Sequence, residues 1–60
     1  MEKLTALKAL VATAEKDGAL FYDKNNQAAG TRFRKTLQQI KSLATELRKD
    51  VTDKKNAANR

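Results

Sequence analysis

The sequence has no cysteine, no histidine, no proline and no tryptophan. Each absence removes a class of protein. Without cysteine there is no disulfide framework and no thiolate metal site, as suits a reducing cytoplasm. Without histidine the chain lacks the commonest metal ligand and the side chain most used for general acid–base work. We therefore expect no enzyme, no metal, no cofactor and no small-molecule substrate. Long hydrophobic runs are missing too. The stretch "MEKLTALKALVATAEKD" carries an apolar run of about six residues, below the roughly 7–15 of a signal peptide. Nothing approaches the ~20 of a transmembrane helix. These features predict a soluble, cytoplasmic chain with no membrane partner.

What is abundant is positive charge. Thirteen lysines and arginines stand against seven acids, a net charge of +6 in 60 residues. A surplus of that size favours polyanions as partners: nucleic acid, an anionic membrane surface, or an acidic protein. A basic amphipathic helix can lie on anionic lipid. The apolar face here is narrow and alanine-rich and there is no tryptophan, so packing on a partner helix explains it better.

The rest of the composition is helix-forming, with Ala, Leu, Lys, Glu and Gln dominant and no proline to interrupt. Leu4, Leu7, Val11, Ala14, Gly18 and Phe21 follow alternating steps of three and four, with Leu10 widening the face. Gly30, Phe33, Leu37, Ile40, Ala44, Leu47 and Val51 repeat the pattern, with Leu43 beside it. Both series match helices packed nearly parallel or antiparallel on one another. No segment alternates with period two. Between the series lies "DKNNQAAG", whose asparagines are poor interior helix residues and good caps. The reading is all-α and a single domain over residues 1–60: helix 1 over about 2–22, a turn at 23–26, helix 2 over 27–54 and a short basic tail at 55–60. Asp17-Gly18 is a competing turn signal.

The helices are expected to form an antiparallel, coiled-coil-like hairpin. Its core and the face of a dimer are drawn from Leu4, Leu7, Val11, Phe21, Phe33, Leu37, Ile40, Leu47 and Val51. About a dozen good apolar side chains are few for one hairpin. A homodimer forming a four-helix bundle is therefore expected. Gly18 and Gly30 allow close helix approach or mark weak points.

Helix 2 also carries a charge repeat. Arg34, Lys41, Arg48 and Lys55 fall at every seventh position, just after the apolar series. Lys35 and Lys49 lie one step further round, and Arg32 and Lys54 are close by. One reading makes these edge residues whose charges pair across the seam. The acids of helix 1 are too few to match two copies of the ribbon. The other reading is phosphate contact, which needs no sequence code. Phe33, between Arg32 and Arg34, has the look of a base-stacking aromatic, yet its period places it in the core. Tyr22, at the turn, is expected to be exposed.

The stretch "DKNNQAAGTRFRKTLQQIKSLATELRKD", followed by "KKNAA", resembles the bacterial linker-histone-like proteins. These are small basic nucleoid proteins of the kind first recognised in chlamydiae, with short relatives in other bacteria. The matching elements are Lys24-Asn25-Asn26, Ala28-Ala29, Arg32-Phe33-Arg34 and the run through Arg48-Lys49. The resemblance implies DNA binding and chromosome packaging at the nucleoid. Longer members carry a Lys/Ala-rich tail that this sequence lacks, so the helical stripe would supply the contacts. The expected function is histone-like binding of double-stranded DNA without sequence preference. Arg34, Lys41, Arg48 and Lys55 are its principal contacts, and Arg32, Lys35, Lys49 and Lys54 are secondary. RNA stays open as a partner, since phosphate charge is common to both polymers. The alternative is a helical interaction module for an acidic protein.

Overall fold

The computed structural model describes residues 1–58. They form two helices, α1 (Glu2–Lys24) and α2 (Gln27–Ala58), with no strand among the described residues. The hairpin is a rod of 53 × 16 × 13 Å. Helix α1 runs unbroken through Asp17-Gly18. The turn narrows to Asn25 and Asn26, and α2 continues through most of the segment expected as a tail. Residues 59–60 of that tail lie outside the described residues.

The two asparagines of the turn do different jobs. Asn25 takes the left-handed conformation, φ 54° and ψ 36°, one of the few non-glycine residues that visit it readily. The chain then folds back so that the Asn26 N–H donates to the Leu20 carbonyl at 3.1 Å, a Schellman-type closure. Asn26 also opens α2, its side-chain oxygen accepting from the Ala29 N–H at 3.1 Å. That bond satisfies one of the donors a helix start leaves free. A two-residue connection leaves the helices no choice but to run antiparallel. Accordingly Lys3, near the start of α1, reaches Asp50, and Asp17 reaches Arg32 nearer the turn.

The seam lies slightly round from the expected one. On α1 the buried and half-buried positions include Lys3, Leu7, Leu10, Ala14, Asp17 and Phe21; on α2 they include Ala29, Phe33, Thr36, Ile40, Leu43, Leu47 and Asp50. Leu7, Phe21, Phe33, Ile40 and Leu47 are where the apolar pattern puts them. Leu4, Val11, Leu37 and Val51 are instead 54, 41, 44 and 56 % exposed, beside the seam. Leu10 and Leu43 take its alternate positions, together with polar residues whose groups find partners inside the chain. Thr36, nearly buried, donates its hydroxyl to the Arg32 carbonyl at 3.0 Å. Asp17, Asp50 and Lys3 are satisfied by ion pairing. No buried side-chain N or O among the described residues is without a partner.

The rotational setting follows from a reciprocal fit near the turn. The ring of Phe33 lies over Gly18, and the ring of Phe21 over Gly30. A β-carbon on Gly18 would stand 3.3 Å from Phe33, and one on Gly30 only 2.5 Å from Phe21. The helices approach so closely because each presents a glycine to the other's aromatic ring. The glycines are packing features here, and Gly18 does not break α1.

Candidate nucleic-acid interface

Because α2 runs for 32 residues without a break, a seven-residue spacing keeps one flank. Arg34, Lys41, Arg48 and Lys55 therefore line up over about 30 Å. All four are exposed, as are Lys35 and Lys49 beside them. Each of the four follows a seam-line position, about 100° round the helix from it. None of the four is ion-paired with an acid of α1 among the described residues. The ion pairs among the described residues are Lys3–Asp50 and Arg32–Asp17, and neither uses the stripe. Among the described residues, the stripe is thus not paired across the seam of one hairpin.

Arg32 belongs to a different arrangement. Its Nε and Nη2 lie 3.3 and 3.2 Å from the same Asp17 Oδ1. Asp17 is 7 % exposed, so Arg32 is committed to a buried carboxylate on the edge opposite the stripe. Glu46 and Asp53 follow Arg32 at intervals of fourteen and seven on that same edge. Along α2 the rod is therefore polarised sideways, basic on one flank and mixed to acidic on the other. At its far end Lys3 titrates above its ordinary range. The hydrogen bond to Asp50 is the main cause, aided by the charges of Asp50 and Glu46 and opposed by partial desolvation. Lys54 and Lys55 sit beyond that end, where residues 51–58 are all exposed.

The basic flank is not purely charged. One open hollow is lined by Thr31, Arg34, Lys35, Leu37, Gln38 and Lys41, and a second by Thr45, Arg48, Lys49, Val51 and Thr52. The hydroxyls of Thr31, Thr45 and Thr52 donate to carbonyls one turn back. The donors facing outward are then the cations and the Gln38 amide. The apolar pattern alone expects Leu37 and Val51 in the core or the face of a dimer and gives Gln38 no role. The clue was available in the spacing, since Gln38 follows Arg34 by four residues and so shares its face.

Tyr22 is 74 % exposed at the turn end. Phe33 is half-buried over Gly18, a packing residue and not a free stacking surface. No His/Cys/Asp/Glu group among the described residues could hold a metal ion. No helix is long and apolar enough to cross a membrane.

No curated protein and no solved structure matches the chain at a significant level. A family model described as Histone H1-like protein Hc1 matches residues 1–57. That span covers both helices almost completely, and the chain belongs to this family of histone-like, DNA-binding nucleoid proteins.

Proposed function

We propose that the chain binds double-stranded DNA, with no sequence preference, by laying the basic flank of α2 against phosphates. Arg34, Lys41, Arg48 and Lys55 make the principal contacts, and Lys35, Lys49 and Lys54 add to the field. Arg32 contributes less, being committed to Asp17. The observation that carries this reading is a line of about 30 Å (some 20 residues of helix) of exposed cations with no acidic partner among the described residues. Such a line gains affinity by releasing counterions from the duplex and needs no contact with base edges. Bound to the chromosome in this way, the protein would be nucleoid-associated in the cytoplasm.

The same side of the hairpin supports a homodimer. Leu4 and Val11 of α1 and Leu37 and Val51 of α2 line the edge on the stripe's side of the seam. This leaves four large apolar side chains about half in water. A two-fold pairing of these edges would cover all of them twice over and close a four-helix bundle. The stripes would then border the joint, offering two basic flanks for bridging or bending DNA.

Binding to a random-sequence labelled duplex, followed by anisotropy from about 20 to 300 mM salt, tests the reading. A steep salt dependence indifferent to sequence is expected, with a matched RNA duplex as the comparison. No binding at the lowest salt would overturn it in favour of an acidic protein partner.

A further inference from the structure

Tyr22 follows the seam residue Phe21, and its ring lies largely in water. It is nevertheless held in place. Its ring meets that of Phe21 edge-on, with centroids 5.0 Å apart and planes at 73°, and that of Phe33 at 6.1 Å and 82°. An exposed aromatic fixed on two others has little orientation left to lose when a flat ligand stacks on it. It also borders a cleft of about 420 Å³ that includes Gln27, Thr31, Phe33, Arg34 and Leu37. Thr31, Arg34 and Leu37 also line the neighbouring basic hollow that holds Lys35 and Lys41. The cleft therefore opens onto the stripe at its turn end. It combines an aromatic wall, an amide side chain and a guanidinium. A nucleobase attached to a phosphate matches that set: the ring stacks, the amide meets its polar edge, and the cation takes the charge.

We propose that this cleft binds an unpaired base of a DNA strand, stacked on Tyr22, with the adjoining phosphate on Arg34 and the strand continuing towards Lys35 and Lys41. The proposal rests on the DNA reading above and adds to it a preference for duplexes with a single-stranded end or gap.

Tyr22 is the single tyrosine of a chain without tryptophan, so intrinsic fluorescence reports on this one ring. The experiment titrates the full chain with a blunt duplex, with the same duplex extended by a short single-stranded overhang, and with an abasic version of that overhang. Emission is corrected against free tyrosine for absorbance by the DNA, and binding is read in parallel by anisotropy of a label on the blunt end. The expected result is quenching by the overhang duplex alone. Tyr22→Ala should weaken binding of that duplex by roughly 5- to 150-fold, the range of one stacked base, while leaving the blunt duplex unaffected. Tyr22→Phe should restore the preference, and circular dichroism should show unchanged helicity in both variants. If both duplexes bind and the overhang quenches no more than the blunt end, the cleft proposal fails and phosphate binding stands. A loss in Tyr22→Ala equal for both duplexes also overturns it. If neither duplex binds, the DNA reading fails and takes the cleft with it.

Discussion

Phe21 lays its ring across Gly30 so closely that a β-carbon there would stand 2.5 Å from ring carbon Cδ1. The converse pair, Phe33 over Gly18, is looser at 3.3 Å. These contacts fix how the two helices are rotated about their axes. They thereby decide which residues face the seam and which face water.

The pair predicts unequal effects of the same substitution. Alanine improves on glycine in a helix by about 1 kcal/mol. At Gly30 the new methyl must displace the part of Phe21 nearest its own backbone, and overpacking of that kind costs about 1–3 kcal/mol. Gly30→Ala should therefore be destabilising by up to about 2 kcal/mol net. At Gly18 the neighbouring atoms are at the outer edge of Phe33, which can swing, so Gly18→Ala should be neutral or stabilising by up to ~1 kcal/mol. Urea melts of the two variants measure the difference. Equal stabilisation of both would mean that the rings do not sit on the glycines.

Arg32 and Arg34 are two positions apart and should behave as different kinds of residue. Removing Arg32 strands the buried Asp17 oxygen without its donors, at a cost of about 1–3 kcal/mol. Arg34 has no ion-pair partner among the described residues to lose. Arg32→Ala should thus lower the melting temperature with little change in the salt slope of DNA binding. Arg34→Ala should do the reverse. Calorimetry and anisotropy on the two proteins separate structural from phosphate-binding cations.

If about four phosphate contacts form per chain, log affinity should fall against log salt with a slope near −3.6. Replacing Arg34, Lys41 and Arg48 by Gln should bring the slope to about −0.9, the value for one remaining contact. Helicity should be unchanged. An unaltered slope would show that the phosphates lie elsewhere.

The apolar edge predicts its own result. Val11→Gln with Leu37→Gln changes two side chains that the hairpin itself leaves 41 and 44 % exposed. Far-ultraviolet circular dichroism at high protein concentration should therefore be little affected. Sedimentation should show the parent as a dimer and the double variant shifted to monomer. Two identical sedimentation profiles would rule out pairing through this edge.

The Lys3–Asp50 pair ties stability to alkaline pH. Its hydrogen bond raises the Lys3 pKa above the ordinary 10.5. The contribution is complete below that value and fades as pH rises through the higher folded one. The difference in thermal midpoint between the parent and Lys3→Met should be small, as for other exposed pairs. It should hold constant from about pH 6 to 9 and close above roughly pH 10.5. A difference that persists at higher pH would assign the effect of Lys3 to its hydrocarbon stem.

Much of this protein follows from local chemistry that any reader of the sequence can apply. A proline-free chain rich in alanine, leucine and lysine forms helices, and two asparagines end one and begin the next. The seven-residue charge repeat becomes a straight flank because helix geometry is a property of the backbone and does not depend on partners. The rotation of one helix against the other is different, because it depends on contacts between residues far apart in the chain. Counting apolar residues put Leu37, Val11, Leu4 and Val51 in the seam. The fold instead seats Thr36, Asp17, Asp50 and Lys3 there: Thr36 bonds the Arg32 carbonyl one turn back, and the three charged residues are satisfied by partners that sequence spacing does not reveal. The close fit of Phe21 on Gly30 and Phe33 on Gly18 set that rotation. Through it the tertiary structure left an apolar edge uncovered, committed Arg32 to Asp17, and opened a cleft beside Tyr22.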